Sequence, residues 1–96
     1  MSLESIIHID WDRTADILYV ARDGVDLDHL INVDSKKIAG IVRRLDPETK
    51  ECVGFIMHGY GRLYPSYVRM SPEQLREVMD VSMRLSSECV HAGNTF

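Results

Sequence analysis

The chain has 96 residues, 45% hydrophobic and 27% charged, with a formal net charge of −4. That length holds one thin core, the composition excludes an intrinsically disordered chain, and a negative field opposes the counterion release that drives nonspecific nucleic-acid binding. No apolar run approaches the roughly 20 residues that span a bilayer, and no basic segment followed by an apolar stretch marks a leader, so the expectation is a cytoplasmic, membrane-free chain.

Ile7, Ile9 and Trp11 alternate with His8 and Asp10, the period of two of a half-buried strand. The polar stretch 12–16 suits a hairpin turn, and Ile17-Leu18-Tyr19-Val20 returns as a second strand because β-branched and aromatic residues favour strand over helix. A loop around Gly24 leads to a short third strand over His29–Val33, and the turn Asp34-Ser35-Lys36-Lys37 leads to a fourth over Ile38–Leu45. Alternation puts Ile41 and Leu45 on one face of that strand and Ile38 and Val42 on the other. Asp46-Pro47-Glu48-Thr49-Lys50-Glu51 is a turn in which Pro presets one backbone angle and Asp supplies a local acceptor. Cys52–His58 then closes a second hairpin.

A tyrosine-rich connector spans 59–70. Ser71-Pro72-Glu73-Gln74 is a helix start, with Ser71 as cap, Pro72 where its missing N–H is harmless and Gln74 completing a capping box. Leu75, Val78, Met79, Ser82, Leu85 and Cys89 recur at helical spacing up to about residue 90. The fold expected is a single α+β domain over 1–96: an antiparallel β-meander of about five short strands over 5–58, then one C-terminal amphipathic helix over 71–90.

The run Ile9 to Val20 resembles the "YDPEADALYI" opening of the small bacterial and archaeal family called DUF2283, with Asp12, Ala15, Asp16, Leu18 and Tyr19 matching position by position. The stretch from Leu45 to Ile56 looks like that family's second hairpin, an Asp, a turn and a Val-Gly-Ile run. The resemblance implies a small β-meander of unknown function, with members sometimes encoded beside toxin-like partners in the manner of an antitoxin. It supplies no catalytic residue, and it does not cover Gly59 to Phe96.

Asp10, Asp12 and Asp16 gather carboxylates around one turn, but a calcium loop needs Gly where Ala15 stands and Glu where Ala21 stands. His8, His58, Cys52 and Cys89 hold the atoms of a zinc site without its local spacing, and two cysteines without a leader suggest reduced thiols. No nucleophile elbow or phosphate-binding glycine fingerprint is present, so no cofactor is expected. A metal or acid/base site would fall to His8, Asp10, Asp12 and His58. Arg62, Tyr64, Tyr67 and Arg69 alternate cations with rings as a single-strand binder would, although the chain lacks a wider basic patch.

The leading expectation is a noncatalytic protein-interaction module that self-associates as a dimer, or pairs with a small protein as an antitoxin does, through the sheet face carrying Ile38, Val42 and Ile56. The alternative is a small metal-binding protein or enzyme using the His and Asp residues.

Overall fold

The computed structural model describes residues 6–36 and 38–91, with side chains through residue 86. Five strands form one antiparallel sheet: β1 (Ile7–Asp12), β2 (Ile17–Arg22), β3 (Ile31–Asp34), β4 (Ile41–Leu45) and β5 (Cys52–His58). Three helices follow, α1 (Tyr60–Leu63), α2 (Pro65–Val68) and α3 (Pro72–His91). The α+β class and the C-terminal helix expected from the sequence are both present.

The strand order is β1-β2-β5-β4-β3, so a hairpin lies beside a three-stranded meander and the sheet is not one continuous meander. Burial explains the order. Strand β5 is buried along most of its length and takes the centre, where both its edges are paired. Strand β3, with Asn32 and Asp34 exposed, takes an edge, where polar side chains are tolerated and discourage further pairing. The chain crosses to that edge through residues 23–30, where Asp26 caps a one-turn 3-10 helix at Leu27–His29 by accepting the N–H of Asp28 at 3.1 Å. That turn delays β3 to Ile31.

Strand β4 also starts later than its alternation suggests. Ser35 Oγ accepts the N–H of Ile38 at 3.1 Å, and Gly40, at φ 86°, supplies a left-handed residue that a side chain would strain. Ile38 therefore belongs to a turn and not to the strand.

The capping box forms as the sequence predicts: Gln74 N–H donates to Ser71 Oγ and Ser71 N–H to Gln74 Oε1, each at 3.1 Å. Helix α3 packs on one face of the sheet, against β5 and β1. Leu18, Val20, Phe55 and Met57 meet Leu75, Met79 and Met83 in the core. Met83, fully buried at 0% exposure, is missing from the face expected for this helix, whereas Leu85 is 55% exposed; Cys89 lies outside the residues whose side chains are described. The buried stripe runs Leu75, Met79, Met83, a strict four-residue ridge on the turn facing the sheet.

Candidate functional site

The Asp12 to Asp16 motif is structural. Asp12 Oδ1 accepts the N–H groups of Thr14 and Ala15 at 3.1 and 3.2 Å, closing the turn, and Asp16 follows at φ 57°. From there Asp16 reaches 45 residues along the chain: its carbonyl accepts the N–H of Gly59 at 2.8 Å and of Tyr60 at 3.1 Å, and its Oδ1 accepts the N–H of Gly61 at 2.8 Å and Trp11 Nε1 at 3.1 Å. The bonds to the carboxylate, led by that of Gly61, hold it below its ordinary pKa. A Cβ on Gly61 would lie 2.8 Å from Trp11 Cζ2 and 3.0 Å from Asp16 Oδ1, so glycine is what allows the approach.

The metal and acid/base candidates are not brought together. His8 Nε2 lies 2.7 Å from Asp23 Oδ1 on the exposed flank of β1, Asp12 is spent on its turn, and His58 is paired with Ile17 rather than with any of them. No group of three His, Cys, Asp or Glu side chains among the described residues is placed to hold a metal. Cys52 is buried, which pushes its thiol pKa up, and its Sγ donates to the Gly54 carbonyl at 3.4 Å. A protonated thiol is a poor nucleophile.

The Arg62 to Arg69 stretch folds into α1 and α2 with its rings turned inward. Trp11 meets Tyr60 edge-on at 5.2 Å, and Tyr60, Tyr64 and Tyr67 stack in sequence at 6.4 and 5.7 Å. The phenols of Tyr60 and Tyr64 have raised pKa values through burial. Tyr64 and Tyr67 pack against the core, leaving Arg62 and Arg69 exposed without a free ring between them on which a base could stack.

Two surfaces remain. The first is the sheet face opposite the helices. The register sets Asp10, Tyr19, Ile56, Val42 and Asp34 side by side across five strands, an apolar centre with a carboxylate at each end. The next row holds His8, Ala21, Gly54, Arg44 and Asn32. Arg44 lies over Gly54, its Cδ 3.3 Å from where a Cβ would stand, and its Nε is buried without a hydrogen-bond partner. Val42 and Ile56 of the expected interaction face are thus cross-strand neighbours here. Ile38 is not with them, because it lines the helix side.

The second surface is a groove of about 420 Å³ between α3 and the β4 side of the sheet. Ile41, Phe55 and Met57 form its floor, Met79 one wall, and Tyr64 and Tyr67 its end. Ile38 and Leu85, 49% and 55% exposed, stand at its mouth. Arg43 also lines it. The signal for Arg43 is present in the sequence: it stands in the same strand phase as Ile41 and Leu45, a cation among apolar positions.

Comparison with known proteins returned no matching family model, curated sequence or solved structure. The resemblance to DUF2283 therefore rests on the β1–β2 and β4–β5 hairpin motifs alone.

Proposed function

We propose that this protein is a noncatalytic interaction module that self-associates through the open sheet face. The observation that supports the reading is the row Tyr19, Ile56 and Val42 flanked by Asp10 and Asp34, beside an Arg44 whose Nε is buried and unpartnered. A two-fold arrangement makes such a face self-complementary. The apolar centres stack on each other, and the guanidinium of each copy meets an edge carboxylate of the other. A five-stranded sheet is only about 24 Å wide, so the interface is small and the dimer dissociable.

Sedimentation equilibrium over a wide concentration range tests this. The expected mass rises toward twice the 11.0 kDa of one chain, and Ile56→Asp stays monomeric with an unchanged circular dichroism spectrum. A monomer at every concentration, or dimers unaffected by that substitution, would overturn the proposal.

A further inference from the structure

The helix side of the sheet carries two half-buried arginines in contrasting surroundings. Arg22 Nη2 lies 2.7 Å from Asp80 Oδ1, a matched charge. Arg43, cross-strand from Phe55, lines the groove and makes no ion pair or side-chain hydrogen bond among the described residues. Among the described residues the remaining polar lining comes from hydroxyls, including Ser35, Ser82 and Ser86, and contains no carboxylate. In a chain of net charge −4, this groove is a local exception in sign. A cation at the edge of an apolar groove lined by Ile41, Phe55 and Met57 attracts an anion more strongly than it would on an open surface, because the apolar walls weaken dielectric screening.

We propose that the groove binds an amphipathic monocarboxylate, a medium-chain alkyl or aryl acid. Its chain lies between Met57, Phe55 and Met79, and its carboxylate takes the guanidinium of Arg43 through the paired geometry that an arginine fork offers. One cation matches one negative charge; a phosphate dianion would need a second basic group, and the described lining residues include none. A volume of 420 Å³ equals roughly fourteen waters at about 30 Å³ each, room for a chain of about ten carbons with its headgroup. The site lies on the opposite side of the sheet from the self-association face and does not depend on it.

The test uses decanoate and 1-decanol, of equal chain length and different charge, below the micellar range. Calorimetry gives the affinities, and the methyl resonances of Met57 and Met79 report the place. Decanoate is expected to saturate at one per chain, at least tenfold tighter than decanol, with both methyl signals moving. Arg43→Gln abolishes that tenfold difference and leaves decanol binding unchanged. Equal affinities in the natural chain, no saturable decanoate binding, or saturation without movement of those methyl signals would each overturn the proposal. The natural-chain comparison decides the matter even where Arg43→Gln fails to fold.

Discussion

The β1–β2 and β4–β5 turns carry the same devices at the same spacing. In each, an aspartate opens the turn and its Oδ1 accepts two amides, those of Thr14 and Ala15 for Asp12 and those of Glu48 and Thr49 for Asp46. In each, the fourth residue onward is left-handed without being glycine, Asp16 at φ 57° and Lys50 at φ 65°. Beyond that residue the two turns diverge. Asp16 ties its hairpin to α1, whereas Lys50 turns back to the Pro47 carbonyl at 2.7 Å and bonds to no other element among the described residues. The same contrast holds across the sheet, since β1, β2 and β5 lie under α3 with Arg22 neutralised by Asp80, while β3 and β4 border an open groove with Arg43 unmatched. One part of the sheet is closed under the long helix and the other borders the groove.

The largest expected effect sets those parts against each other. Met83→Ala empties a site at 0% exposure and should cost about 2–5 kcal/mol, the range for large-to-small changes in a packed core. Ile41→Ala removes a side chain already half open to the groove and should cost about 1 kcal/mol, in line with its smaller loss of buried area. Urea unfolding of both variants checks this, and equal losses would mean that the groove is as closely packed as the core.

Local grammar makes much of this legible. The capping box, both hairpin turns and the amphipathic helix each depend on residues within a few positions of one another. The strand order is not legible, because whether β3 joins β2 or β4 is decided by long-range pairing that no alternation records. Helices α1 and α2 look like connector in the sequence for a related reason: α1 is started by Asp16, whose acceptor atoms come from a distant turn, and four-residue helices have no periodicity of their own. Ile38 falls on the wrong face when alternation is carried through Gly40, where the left-handed turn resets the phase. Among the candidate site residues, alternation does place Val42 and Ile56 where they are neighbours. Arg43 escapes notice because it looks like an ordinary surface charge before it looks like a break in an apolar phase.

Acid separates the two turns at the next level. The Asp16 carboxyl is held below its ordinary pKa by the Gly61 amide first and by Trp11 and Arg62 in smaller measure, and the Asp46 carboxyl by the amides of its own turn. A lowered folded pKa means that the ionised group stabilises the fold. That contribution is complete above the ordinary carboxylate value near 3.8 and is lost as the pH falls through the lower folded value. Asp16→Asn should therefore lower Tm at pH 7 by about 5 °C, the scale of a lost helix cap in a domain this size, and the difference should shrink as the pH falls below 3.8. Asp46→Asn should show the same sign with a smaller drop, since its bonds are confined to its turn. Melting curves from pH 7 to pH 2 would refute the distinction if the two variants behaved alike.

The smallest effect is a gain. A left-handed non-glycine residue costs roughly 1 kcal/mol in backbone sterics, and at position 50 no bond to another element among the described residues offsets it. Lys50→Gly gives up one exposed bond to the Pro47 carbonyl and the greater unfolded-state entropy of glycine counts against it, leaving a net stabilisation of about 0.5 kcal/mol. Asp16→Gly relieves the same sterics but removes the acceptor for Gly61 and Trp11, so it should destabilise. Opposite signs in parallel urea titrations would show that the left-handed residue at the first turn is retained for what its side chain reaches. A loss of stability at both positions would mean that Lys50 also has a structural task, and that the β4–β5 turn is not the freer of the two.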